Sequence, residues 1–148
     1  YYTIENLDDE NNSTLQNSLT EIRNIVEQTF QHWSEQRIQR YMDNFIRNNA
    51  KISLIKTKEG NIIGFSCVET GEVNYGNKPL RALYTKETAI LPKYAGKGLV
   101  KSSRMAIINQ ENPGIIAGRT RNPSIYMSIK SIAALNKMAF FPAFWCSS

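Results

Sequence analysis

Cysteine and histidine are scarce in this chain of 148 residues, which holds two cysteines, Cys67 and Cys146, and one histidine, His32. Two thiols far apart in sequence make no disulfide framework, and a single histidine without clustered carboxylates makes no metal site. Cys67 sits in an apolar, strand-like run where a small buried thiol fits, and neither cysteine has an identifiable basic partner that would make it a nucleophile. His32 falls between two predicted helices and reads as a capping or surface residue. No apolar run approaches the roughly 18 residues of a membrane span and no signal-peptide pattern opens the chain, so a reducing cytoplasm and no membrane partner are expected. Blocks of like charge are also missing. The net charge of +5 is spread along the sequence as on a solvated surface, and neither zinc-finger spacing nor an aromatic-basic RNA signature occurs, so nucleic acid is not an expected partner. No internal repeat or low-complexity segment is present. With 41% hydrophobic and 21% charged residues, wholesale disorder is excluded. The length sets the expectation of one domain over residues 1–148.

What is present alternates between two periods. Tyr1 to Leu7 reads as a first strand, followed by the polar run Asp8 to Asn12. Ser13 and Gln16 have capping-box spacing ahead of the apolar stripe Leu15, Leu19, Ile22, Val26 and Phe30. Ser34 opens a second helix whose stripe is Ile38, Tyr41, Met42, Phe45 and Ile46. Ile52, Leu54 and Ile55 read as a strand, Lys58-Glu59-Gly60-Asn61 as a hairpin turn, and Ile62 to Glu69 as the returning strand. Gly71 to Pro79 reads as a polar loop before a longer strand, Leu83 to Leu91, which Pro92 ends. After Gly98 a helical period begins, with Leu99, Val100, Ser103, Ala106, Ile107 and Gln110. Asn112-Pro113-Gly114 is then a turn and Gly114 to Arg119 a short strand. Asn122 and Pro123 start a last helix with Ile125, Ile129 and Ile132 on its apolar side. Ala133 to Trp145 has no clean period.

The joint between the Leu83 strand and the Leu99 helix carries the chemistry. A helix start offers unpaired backbone N–H groups and the positive end of the dipole, and Gly96 and Gly98 let a ligand approach the backbone closely. Such a place suits a phosphate, and Lys93, Lys97 and Lys101 add positive charge beside it. The P-loop spacing is absent, since no glycine stands at the required distance upstream and no Ser or Thr follows Lys97; the dinucleotide fingerprint lacks its third glycine at Lys101.

The order of elements together with Ile90-Leu91-Pro92-Lys93-Tyr94-Ala95-Gly96-Lys97-Gly98-Leu99-Val100 resembles the GCN5-related N-acetyltransferase (GNAT) superfamily, whose corresponding segment has the form Val-x-Pro-x-Tyr-Arg-Gly-x-Gly-Ile-Gly. Pro92, Tyr94, Gly96, Lys97 and Gly98 agree; Ala95 stands at the family's Arg or Gln and Val100 at its final Gly or Ala. The resemblance implies an α/β (α+β) fold, a mixed, mostly antiparallel twisted sheet of five to seven strands with helices on both faces. It implies acetyl-CoA or another acyl-CoA as co-substrate and no metal. The pyrophosphate would be held by backbone N–H groups of the segment Ala95, Gly96, Lys97, Gly98, Leu99, Val100 and Lys101, and the pantetheine arm would pair with Ile90 and Leu91.

The same resemblance implies transfer of an acyl group to an amine of a small molecule or peptide. That chemistry needs a base for the amine proton and an acid for the departing thiolate. Glu87, three residues before Ile90, is the candidate base and Glu69 the second candidate. Tyr126 is the candidate acid, one helical turn before the family's tyrosine position, which is Ile129 here, and Asn122, which matches the asparagine that opens that pattern, is a candidate cofactor-binding residue or the cap of the helix that begins at Pro123. Arg119, Thr120 and Arg121 are expected near the gap where the sheet splays. Ala95, Val100 and the displaced tyrosine also fit an alternative, a GNAT-like domain without catalysis that serves as a binding or regulatory module.

Overall fold

The computed structural model describes residues 1–7, 12–45, 50–118, 123–135 and 138–139, in two compact units, Tyr1–Ala117 and Gly118–Ser148. Along the chain come β1 (Tyr2–Leu7), α1 (Asn12–Thr29), α2 (Glu35–Asn44), β2 (Ala50–Thr57), β3 (Ile62–Tyr75), β4 (Lys78–Ile90), a 3₁₀ turn (Pro92–Tyr94), α3 (Leu99–Glu111), β5 (Ile115–Gly118) and α4 (Pro123–Leu135).

The strands form one sheet in the order β1-β2-β3-β4-β5. The first three pairings are antiparallel. At the far edge the Gly114 N–H donates to the Arg81 carbonyl at 2.9 Å and the Thr85 hydroxyl to the Ala117 carbonyl at 3.3 Å, so β5 advances beside β4 in the same direction. The result is the mixed, mostly antiparallel sheet that the resemblance implies.

Strand alternation sorts the side chains onto two faces. Leu7, Ile52 and Cys67 are successive cross-strand partners, as are Leu54, Phe65 and Ala89. They pack with Leu15, Ile22, Ile25 and Val26 of α1 and Ile38 of α2 in one core. The opposite face presents Ile55 and Ile63, which pack with Leu99 of α3. Helices thus cover both faces. α1 uses the expected stripe, although it begins at Asn12, so Ser13 stands within its first turn and not at the cap. Ser34 caps α2 as expected, its hydroxyl accepting the Arg37 N–H at 3.2 Å.

Two expectations change. Gly71 to Pro79 is not a loop: β3 continues to Tyr75 and β4 begins at Lys78, with Tyr75 paired to Lys78 and only Gly76-Asn77 between them. Gly76 has φ 61°, the positive value that the first central position of a type II′ hairpin turn demands and that glycine adopts without strain. The buried side of α3 is Leu99, Ser103, Arg104, Ile107 and Ile108, rotated from the expected stripe so that Arg104 faces inward and Gln110 outward.

In the second unit, Pro123 opens α4 at a position where its missing N–H costs nothing. Ile132 and Ala133 are buried, and the Met138 N–H donates to the Ala133 carbonyl at 2.8 Å. Arg119, Thr120, Arg121 and Asn122 lie outside the described residues, as does the side chain of Tyr126. Among the described residues no helix is long and apolar enough to cross a membrane, and no group of His, Cys, Asp and Glu is arranged to hold a metal ion.

Candidate active site

The start of α3 is built from backbone. Gly96 and Gly98 have φ 80° and 72°, a region closed to most side chains, and Gly98 is the N-cap of α3 with no side chain capping the first turn. A Cβ placed on either glycine would meet nothing within 4 Å, so space lies open beside both. Ala95 is extended (φ −66°, ψ 154°), and its N–H closes the 3₁₀ turn on the Pro92 carbonyl. Leu99 is buried in the core beneath α3, which leaves its backbone but not its side chain for a ligand. Val100 and Lys101 follow on the first turn, both half-buried. Lys97 is not a loose solvated lysine. Its Nζ donates to the Tyr2 hydroxyl at 3.2 Å and lies 5.8 Å and 5.9 Å from the ring centroids of Tyr2 and Tyr94. Lys93 stands 5.5 Å from the Tyr94 ring.

At the end of β4 the Leu91 N–H is engaged by the Ile63 carbonyl at 2.8 Å. In an antiparallel ladder the backbone groups of adjacent residues point to opposite sides. Ile90, paired with Gly64, therefore turns its N–H and C=O away from β3. Its carbonyl accepts the Thr29 hydroxyl from the end of α1 at 3.3 Å. Of the two residues expected to pair with a pantetheine arm, Ile90 thus has the outward backbone, while the N–H of Leu91 is taken.

The ladder between β3 and β4 is irregular at one place. Ser66 faces Thr88 and Val68 faces Thr85, so Cys67 stands against two residues, Lys86 and Glu87. This β-bulge places both side chains in a cleft of about 370 Å³ lined by Tyr41, Asn44 and Phe45 of α2, Ala50 of β2, Cys67 and Glu69 of β3, and Lys86 and Glu87 of β4. Bulges commonly re-aim side chains beside functional sites. Glu69 and Glu87, the two candidate bases, therefore share one cavity. Lys86 Nζ lies 3.2 Å from Glu69 Oε1, and that hydrogen bond raises the lysine above its ordinary range. The Cys67 thiol is pushed up to about 12, first by burial and then by the Glu87 carboxylate. It stays protonated at neutral pH and is a poor nucleophile there.

Two features of this region escaped the sequence. Tyr41 belonged to an apolar helix stripe, yet its hydroxyl is buried without a hydrogen-bond partner among the described residues in the lining of the cleft. The phenol within the stripe was the available signal. On the other face, Arg104 is 4% exposed, donates from Nη2 to the Thr88 hydroxyl at 2.8 Å, and leaves Nε and Nη1 without a partner among the described residues. Nothing in its spacing set it apart from a solvated arginine.

No protein-family model matches the chain, and no curated protein matches it. Solved structures do. An acetyltransferase from Trypanosoma brucei is 13% identical, with all of both chains covered and a TM-score of 0.60. A ribosomal-protein-alanine N-acetyltransferase from Brucella melitensis biovar Abortus is 15% identical, covering 100% of this chain and 97% of that one at a TM-score of 0.65. The aminoglycoside N-acetyltransferase AAC(6′)-Iy in complex with CoA is 14% identical, covering 100% and 95% at 0.61. The chain has the GCN5-related N-acetyltransferase fold.

Proposed function

We propose that the chain is an N-acyltransferase that moves an acetyl or other acyl group from acyl-CoA to an amine. The observation that carries this reading is the β4 bulge, which turns Glu87 into a cleft three residues before the outward backbone of Ile90, about 10 Å along the strand. An open glycine cradle and an uncapped helix start follow on the same strand. These residues fit a CoA ester. Backbone N–H groups of Gly96 to Lys101 would hold the pyrophosphate, and Ile90 would align the pantetheine.

Acyl-CoA supplies the activated thioester, and the chain's own residues do the rest. Glu87 takes a proton from the acceptor ammonium, directly or through a water, which frees the nitrogen lone pair for the thioester carbon. As the C–N bond forms and the C–S bond breaks, Tyr126 would give its proton to the departing sulfur, and the second proton of the nitrogen would pass back to the tyrosinate. A protonated Cys67 supports direct transfer in place of a covalent acyl-enzyme.

Calorimetric titration with CoA and acetyl-CoA, followed by thiol release in the presence of primary amines, tests the proposal. Binding should occur, and Glu87→Gln should remove turnover while keeping CoA affinity. Absence of binding by either ligand sinks it. CoA binding without transfer to any amine selects the non-catalytic binding module to which Ala95 and Val100 point.

A further inference from the structure

We infer that Tyr41 is a positioning residue for the acceptor, and that the cleft takes a compact primary alkylammonium group shared between the Tyr41 hydroxyl and the Glu87 carboxylate. The inference rests on the acyltransferase reading and names the acceptor chemistry of that same site.

The Tyr41 ring is fixed before any ligand arrives. It stands edge-on to Trp33, centroids 5.5 Å apart at 68°, and to Phe45, 5.7 Å apart at 62°. Rings held on two sides have little freedom, so the hydroxyl occupies one place. There it is shielded from solvent and has no hydrogen-bond partner among the described residues. A buried hydroxyl without a partner costs on the order of 1–3 kcal/mol, and natural interiors complete nearly every such group with a protein group, a water, an ion or a ligand.

The rest of the lining says which ligand. Glu69 is engaged by Lys86, whereas no ion pair to Glu87 occurs among the described residues. Burial, then Cys67 and Glu87, push Tyr41 ionisation well above the usual phenol range, so the hydroxyl stays neutral. Among the described residues, neutral Tyr41 and Cys67, the Lys86–Glu69 pair and Glu87 leave one uncompensated negative charge. An ammonium complements that set: it donates to Glu87 and to the lone pairs of Tyr41, while its methylenes lie against Phe45 and Ala50. A carboxylate beside the amine would meet Glu69 and Glu87, which disfavours free amino acids. A volume of about 370 Å³ lies at the small end of ligand sites and admits the amine end of a diamine or of a lysine side chain.

CoA-loaded protein titrated with n-butylammonium, n-butanol and butyrate tests this, with Nα-acetyl-lysine methylamide distinguishing a protein lysine from a free amine. Wild type should prefer butylammonium to butanol by about tenfold, as expected when a charged group gains a hydrogen bond, and should ignore butyrate. Tyr41→Phe should lower butylammonium affinity by roughly five- to tenfold without lowering the melting temperature, because the hydroxyl has no partner among the described residues to lose. Glu87→Gln should erase the preference over butanol. Equal binding by wild type and Tyr41→Phe overturns the inference, as does a fall in melting temperature for that variant or equal binding of butyrate. Protein that takes no CoA fails the acyltransferase reading; protein that takes CoA but shows no butylammonium preference fails this inference alone.

Discussion

Lys86 Nζ lies 3.2 Å from Glu69 Oε1, and this pair separates the roles of the two carboxylates in the cleft. A carboxylate held in an ion pair is less free to meet an incoming ammonium than one without such a partner among the described residues. Glu87→Gln should therefore reduce kcat/KM for acyl transfer by about a hundredfold or more, the usual scale for loss of a general base. Glu69→Gln should cost less than about tenfold. Steady-state thiol release by the two variants checks the ranking, and equal losses would assign both carboxylates to one shared role.

Cys67 makes a pH-dependent contribution whose sign follows from its shift. Its ordinary value of 9.0 rises to about 12 in the folded chain. Below pH 9 both folded and unfolded states keep the proton. Above pH 9 the unfolded thiol ionises first, so the unfolded state gains and stability falls as pH rises toward 12. Melting curves of wild type and Cys67→Ala should therefore converge between pH 9 and 12, wild type losing more. At pH 8 the folded protein should resist iodoacetamide, and rapid labelling there would contradict both the burial and the direction of the shift.

Much of the fold was legible because its punctuation is local. Pro92, Gly96 and Gly98 mark the strand-to-helix joint, Ser34 marks the start of α2, and the α1 stripe has a clean helical period. Gly71 to Pro79 misled for a physical reason. Gly71, Gly76, Asn77 and Pro79 all read as breakers, but only Gly76-Asn77 is a turn; the others sit in a long ribbon, with Pro79 paired to Asn74 before β5 joins near Arg81. The bulge at Lys86-Glu87 left no mark at all. It is a mismatch in count between two strands, visible only once Ser66 is seen against Thr88 and Val68 against Thr85. Glu87 could thus be chosen from its spacing to Ile90, while its company, Tyr41 and Cys67, required the pairing.

The loop separates backbone from side-chain binding. Gly98, at φ 72° with open space at its Cβ position, should not tolerate Val: the substitution strains the backbone by about 1–2 kcal/mol and fills the cradle. Gly98→Val should lose CoA binding. Lys97→Ala removes an ammonium already engaged by Tyr2 and Tyr94 and should cost on the order of 1 kcal/mol, more at low salt than at high salt. Calorimetric titration of CoA into both variants measures the difference, and equal losses would refute a backbone cradle.

Arg104 offers a prediction about stability alone. The residue is 4% exposed, burial lowers its proton affinity from the ordinary arginine value, and beside the hydrogen bond to Thr88 two guanidinium nitrogens have no partner among the described residues. Burying a charge is costly unless it is paired, and replacing such a group by an apolar residue of similar volume is often neutral or stabilising by about 1–4 kcal/mol. Methionine has the length and flexibility to occupy the same path between α3 and β4. Arg104→Met should hold or raise the melting temperature, by roughly 2–4 °C for each kcal/mol gained in a chain of this size. Thr88→Val should destabilise wild type, since it removes the acceptor of the guanidinium's hydrogen bond, and should be close to neutral beside Arg104→Met. The double-mutant cycle isolates that coupling. A sharp drop in melting temperature for Arg104→Met would show instead that the guanidinium holds a partner beyond Thr88.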